Sequence, residues 1–162
     1  MAQPGSGPDE EYFMTIRTAT VEDSEELTAI AMAAKSHWGY PESWMKQWES
    51  DLTITPDFVL HNTVYVSEAD GEVRGFYALC VAAGKAELEH MLVRPEYIGT
   101  GVGKELFLHA MDRVTALNLD EVNLTADPNA ASFYEHMGAK RVGEVDSSIS
   151  GRKLPRMKIE KG

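Results

Sequence analysis

Residues 93–104 read VRPEYIGTGVGK, and the rest of the chain can be placed outward from them. Val93 closes an apolar run, Pro95 ends it because proline cannot donate to a strand ladder, and alternate glycines follow. Gly99, Gly101 and Gly103 let successive backbone N–H groups converge and let a ligand approach the main chain closely. A helical period takes over at about Val102 and runs to Leu117, with Phe107, Ala110, Met111, Val114 and Leu117 on one face. The start of such a helix carries roughly half a positive charge. Strand, glycine loop and helix start together predict an anion site suited to a phosphate or pyrophosphate. A tight strand-to-helix turn without a ligand uses glycines in the same way and stays open as the alternative.

Two familiar phosphate loops do not fit. A Walker A loop needs glycine at 98 and Ser or Thr at 105, where the chain has Ile98 and Glu105, so the magnesium-binding hydroxyl is missing. A Rossmann loop needs glycine at 104, where Lys104 stands, and follows a first strand rather than a late one. The pyrophosphate expected here belongs to another carrier.

Upstream of the loop, Glu87 to Val93 reads as a strand, preceded by a hairpin of Thr63 to Glu68 and Val73 to Val81 around Asp70-Gly71. Further back, Phe13 to Arg17 reads as a first strand. Leu27, Ile30, Ala31 and Ala34 mark a helix after Asp23, and Trp44, Met45 and Trp48 a second. Thr55-Pro56 opens a short third segment. Downstream come a strand at Glu121 to Thr125, a helix capped by Asp127-Pro128 and stopped by Gly138, and two strands, Lys140 to Val145 and Lys153 to Glu160. The order β-α-α-β-β-β-α-β-α-β-β predicts a single-domain α/β fold, a mixed, mostly antiparallel sheet flanked by helices with one crossover. Residues 1–12 are expected to be a disordered lead-in and 13–162 the domain.

Composition limits the partners. At 162 residues the chain is about one domain long. Fifteen Lys and Arg face 26 Asp and Glu, a net charge of −11, which argues against nucleic acid or an anionic membrane as partner. The charge is uneven: residues 1–83 carry −10 and residues 84–162 carry −1. No apolar stretch approaches the ~18 residues of a spanning helix, and the N-terminus lacks the basic start and apolar run of a secretory signal. Cys80 is the single cysteine, so a reducing cytoplasm is the expected setting. The histidines and Cys80 show no metal-ligand spacing, and no metal is expected.

A second block, DPNAASFYEHMGAKRVGE at 127–144, joins the glycine loop to carry a resemblance. Over about residues 14–160 the chain resembles the GNAT superfamily of N-acetyltransferases, and among them the small bacterial-type members. The family's Gln/Arg-x-x-Gly-x-Gly/Ala loop falls on Ile98, Gly101 and Gly103, and its next-to-last helix on the Phe133-Tyr134 segment. Two positions depart from the pattern: Ile98 replaces the usual Arg or Gln, and Asp127 stands where many members have Asn, with Asn129 nearby. The resemblance implies a GNAT-like fold and acetyl-CoA as cofactor. It places the cofactor against Met91, Val93, Ile98, Gly99, Thr100, Gly101, Val102, Gly103, Lys104, Asn129, Ser132 and Phe133.

Acetyl transfer to an amine needs an anchored thioester, a polarised carbonyl, a deprotonated amine and a protonated leaving thiolate. The resemblance assigns polarisation to the Met91 N–H, at a splay or bulge in its strand. Strict alternation puts Glu87, Glu89, Met91 and Val93 on one face and Leu88, His90 and Leu92 on the other. Glutamates in a buried strand require water or a cation. Glu89 is the expected proton relay and Glu87 its alternative; both also read as ordinary solvated strand residues, and His90 as structural. The resemblance makes Tyr134 the acid, although Ala130, Phe133, Tyr134 and Met137 equally form a core stripe. Trp38 and Tyr40 lie where the family builds its acceptor pocket, and aromatic walls hold amines, or merely pack helices. The loop Ser147 to Pro155, with Arg152, either covers that pocket or joins two strands.

The expected activity is direct transfer of acetyl from acetyl-CoA to a primary amine of a small molecule. No activated Ser or Cys constellation calls for an acyl-enzyme. A non-catalytic acyl-CoA-sensing module, or a transferase for another acyl group, is the alternative. A homodimer is one of the open oligomeric states. The acidic N-terminal half predicts a cationic acceptor.

Overall fold

A computed structural model describes residues 15–160. Strand β1 is Thr15–Thr18; the expected strand residue Phe13 and the lead-in 1–12 lie outside the described residues. Helices α1 (Ser24–Ser36), α2 (Glu42–Gln47), α3 (Glu49–Leu52) and α4 (Pro56–His61) precede β2 (Thr63–Ala69), β3 (Glu72–Ala82) and β4 (Lys85–Val93). Then follow α5 (Val102–Ala116), β5 (Glu121–Thr125), α6 (Ala131–His136), β6 (Lys140–Asp146) and β7 (Lys153–Glu160). The expected tryptophan helix is thus two short helices that meet at Trp48. Thr55 caps α4 by accepting from the Phe58 N–H at 3.0 Å, with Pro56 at the first helical position. Asp70 and Gly71 both have positive φ, the geometry of a tight two-residue hairpin, and join β2 to β3.

The seven strands lie in the order β1-β2-β3-β4-β5-β7-β6, antiparallel except where β5 runs parallel to β4. That single parallel pair is short. Only Ala86↔Val122 and Glu87↔Asn123 are in register, and from Leu88 onward β4 and β5 part. α5 and α6 cover one sheet face, where Leu88, Leu106, Phe107, Ala110, Leu124 and Met157 form a core. α1 to α4 cover the other, around Leu27, Ile30, Val66, Phe76 and Ala78.

The strict alternation expected along β4 does not hold. Ala78 pairs with His90 and Leu79 with Leu88, so Glu89 is the extra residue of a β-bulge. The bulge shifts the phase of every side chain beyond it. Met91 and Val93 pack with the α5–α6 core, as Leu88 does, whereas Leu92 joins the α1–α4 core and His90 meets Phe58 and Phe76 there. Glu87, opposite Cys80, lies on the α1–α4 face with His90, not on the face of Met91. α6 also starts later than its capping signal: Asp127 caps a turn instead, accepting from the Asn129 N–H at 2.8 Å.

Candidate active site

The parting of β4 from β5 makes an opening whose β4 wall is backbone. The Arg94 N–H donates to Arg74 O of β3 at 2.9 Å. Amides alternate between strand edges, so Leu92 shares the edge facing β3, and the Met91 and Val93 N–H groups face the opening. The expectation for Met91 required this orientation.

The loop above it is built for an anion. Gly99 and Gly101 sit at φ +83° and +97°, a region that L side chains resist, with nothing within 4 Å of where a Cβ would stand. Gly101 is the N-cap of α5 and provides no side-chain cap. The N–H groups of Gly99, Gly101, Val102, Gly103 and Lys104 reach no acceptor among the described residues. Gly103 brings α5 against its neighbours: an added Cβ would lie 3.7 Å from Val93 and 3.8 Å from the Phe133 ring. Ile98, exposed beside these amides, adds no polar group, and the Thr100 hydroxyl turns back to Tyr97 O at 2.5 Å. Lys104 and Ser132 are exposed and Phe133 is half-buried. Arg94, beside the loop in sequence, is drawn away to Glu26 at 2.9 Å and Val73 O at 2.7 Å.

Tyr134 is buried against Phe133 and Phe107, at ring separations of 5.3 and 6.3 Å. Its hydroxyl has no hydrogen-bond partner among the described residues. Burial pushes the phenol well above its ordinary pKa, so it keeps its proton.

The two glutamates are not equivalent. Glu87 forms a two-pronged ion pair with Arg156 of β7, at 2.6 and 2.8 Å, and Arg156 also donates to Thr125 of β5 at 3.0 Å. This pair spans the closed end of the opening. Glu89 makes no such pair among the described residues. Desolvation of its carboxyl raises its pKa, and the negative charge of Glu87 adds to the rise. His90 is depressed to about 4 by burial and stays neutral near pH 7.

The α1–α4 side of the opening is built from side chains, of which Lys35 was not foreseen in the sequence. Asp127 meets Lys35 of α1 at 2.5 Å and accepts from the Tyr40 hydroxyl at 2.9 Å. Desolvation disfavours its charge, but Lys35 and the Asn129 N–H outweigh that and hold the carboxyl below its ordinary pKa. The Asn129 side-chain amide donates to Tyr40 Oη at 2.9 Å and to Asp127 at 3.0 Å, so both of its hydrogens serve this cluster rather than a cofactor. Arg152 donates to Tyr40 Oη at 2.9 Å and lies 5.0, 5.7 and 5.2 Å from the rings of Tyr40, Trp44 and Trp48. Lys35 covers the Trp48 ring from 4.6 Å. The aromatic wall expected at Tyr40 is therefore already lined by the chain's own cations. Trp38 stands apart, 42% exposed, edge-on to His37.

A family model described as an acetyltransferase (GNAT) domain matches residues 61–138, which span β2 to α6. A 5-NmdU N-acetyltransferase of Pseudomonas phage PaMx11 is 27% identical over 149 residues, covering 88% of this chain and 96% of that protein. A spermidine N(1)-acetyltransferase of Thermoplasma acidophilum is 29% identical over 149 residues, covering 82% and 91%. In fold, the chain is similar to a PaiA N-acetyltransferase of Thermoplasma acidophilum crystallised with coenzyme A. The TM-score is 0.79 at 24% identity, over 91% of this chain and 99% of that one. With the splayed β4–β5 pair, the bulge and the bare glycine-loop amides in place, these likenesses give the chain a GNAT-like fold and support an acetyl-CoA-dependent acetyltransferase of the GNAT type, whose family model covers β2 to α6.

Proposed function

We propose that the protein moves the acetyl group of acetyl-CoA directly onto the primary amine of a small molecule. The observation that carries this reading is the β4–β5 opening, which joins the outward Met91 and Val93 amides to the unpaired amides of the α5 start. Gly99 and Gly101 to Lys104 would hold the pyrophosphate by backbone donors alone, which makes the loss of a polar side chain at Ile98 tolerable. Ser132 and Phe133 would flank the cofactor on the α6 side. When bound, acetyl-CoA supplies an activated acetyl thioester.

Met91 N–H would donate to the thioester carbonyl oxygen as negative charge develops on it. Glu89 takes the proton that the amine loses, directly or through water; its raised pKa and its position on the bulge support that role. Glu87, held by Arg156, fits a structural clamp better than a proton relay. As the N–C bond forms and the C–S bond breaks, Tyr134 gives its phenolic proton to the sulfur and recovers one from solvent. Substrate amine and acetyl thioester thus become amide and free thiol, with no acyl-enzyme. A cytoplasmic setting is part of the same reading, supported by the lone, inert Cys80 thiol, whose pKa burial raises to about 11. A homodimer belongs to it too: β6 is an edge strand exposing Val142 and Val145, and sedimentation tests it.

The test is thiol release across a panel of primary amines, with mass spectrometry of the products. Tyr134→Phe is expected to lower turnover by about 100-fold or more while acetyl-CoA affinity is kept. Unchanged turnover removes Tyr134 from the reaction. Tight acetyl-CoA binding with no thiol release for any amine makes the protein a sensor rather than an enzyme.

A further inference from the structure

Arg152 is a cation held in place but only partly neutralised, because it shares the single carboxylate of Asp127 with Lys35. The β6–β7 loop that carries it is tied down around it. Ser147 N–H donates to Arg152 O at 2.8 Å, and Arg152 N–H to Ile149 O at 3.1 Å. Ile149 joins the α1–α4 core, and Ser148 accepts from Trp48 Nε1 at 3.1 Å and Gln47 Nε2 at 2.9 Å. The guanidinium lies against Tyr40, Trp44 and Trp48, and one Nη2 hydrogen goes to the Tyr40 hydroxyl. Its side chain is 13% exposed. Yet Nε and Nη1 reach no acceptor among the described residues, and neither is sealed from solvent. One two-donor fork of the guanidinium is therefore unfilled.

The surrounding charges leave that fork available. Asp127 contacts Lys35 at 2.5 Å but lies 3.8 Å from Arg152, beyond hydrogen-bond reach. Arg156 is consumed by Glu87. Lys35, Arg152 and Asp127 together carry one net positive charge. The same packing removes the aromatic faces from an incoming ammonium, because the chain's own cations lie over them. Planar donors fixed in advance match a carboxylate or phosphate and spare the ordering that binding otherwise requires.

We propose that Arg152 reads an oxyanion on the acceptor, so that the amine acetylated here also carries a carboxylate or phosphate group. This rests on the reading of the protein as an amine acetyltransferase, and it replaces the cationic acceptor expected from the acidic N-terminal half. The −10 of that half is a sum over the surface; the fork is a local, oriented site.

Calorimetry on the CoA-loaded protein tests it independently of turnover. The probes are ω-amino acids from glycine to 6-aminohexanoate and O-phosphoethanolamine, each against the n-alkylamine and diamine of matching length. At least one oxyanion-bearing amine is expected to bind 10-fold or more tightly than its matched amines, and the carboxylate and phosphate arms show which group the site takes. Arg152→Gln should erase that preference, Arg152→Lys should restore part of it, and Tyr40→Phe should weaken it less than Arg152→Gln. Acetyl-CoA affinity in each variant reports an intact fold. If alkylamines or diamines bind best, or the preference survives Arg152→Gln, the inference falls while amine acetylation stands. If an oxyanion-bearing amine binds through Arg152 but no amine is ever acetylated, the inference stands and the enzymatic reading falls.

Discussion

The two sides of the β4–β5 opening are built from different material. On the α5 side the groups offered to a ligand are backbone amides, set by glycine conformation and by the start of a 15-residue helix. On the α1–α4 side they are side chains from four separate segments, Lys35, Tyr40, Asp127 and Arg152, held by each other. A backbone site depends on a short contiguous sequence and tolerates side-chain change, as Ile98 illustrates. A side-chain site depends on residues that meet only after folding, and this is where specificity can diverge among proteins that share one reaction.

That contrast can be broken by experiment. The largest separation is expected from Gly101→Val. A branched side chain at φ +97° costs about 1–2 kcal/mol of strain and fills part of the open space beside the loop amides. The Michaelis constant for acetyl-CoA should rise by about 10-fold or more, given the ~1.4 kcal/mol that each tenfold represents, while that for the amine changes little. Steady-state kinetics with each substrate varied in turn checks it, and equal effects on both would erase the division.

Asp127→Ala should do the reverse. Lys35 and Arg152 lose their shared counter-charge, and the exposure of these side chains, 13 to 18%, places the stability loss below that of a fully buried pair, at about 2 kcal/mol. Denaturant unfolding reads the loss, and the amine constant rather than the acetyl-CoA constant should rise. A smaller effect concerns pH. His90 has a folded pKa of about 4 against an ordinary 6.5, so the unfolded chain takes up the proton first. Its contribution is complete above pH 6.5 and is lost as pH falls toward 4. Melting temperatures across that window should fall more steeply for the parent than for His90→Gln. Smallest of all, Asp146→Asn breaks an ion pair with Lys153 whose two side chains are exposed. It should shift stability by less than about 0.5 kcal/mol and leave both Michaelis constants alone.

The legibility of the two walls follows from their construction. Gly99, Gly101 and Gly103 announce themselves because few other backbone needs place glycine at alternate positions before a helical period. The order of elements along the chain and the long helix were legible for the same reason, being local periodicities. The bulge at Glu89 was not, because one inserted residue leaves no compositional trace and appears only as a shift between Ala78 and Leu79 across the ladder. That shift moved Glu87 to the other face. Lys35 offered no signal of its own in the sequence, and Asp127 read as a helix cap; their meeting joins residues 92 positions apart. Arg156 carried one available signal, a charged residue on a strand whose neighbours Pro155 and Met157 are buried, which asks for a partner.

The most direct test of the account is an amide-resolved NMR titration of the protein with coenzyme A. The account predicts the largest shifts at the N–H groups of Met91, Val93, Gly99 and Gly101 to Lys104, with the Trp44 and Trp48 indole signals nearly still. Shifts concentrated on those indoles and on Lys35, Tyr40 and Arg152, with the loop amides unmoved, would contradict it.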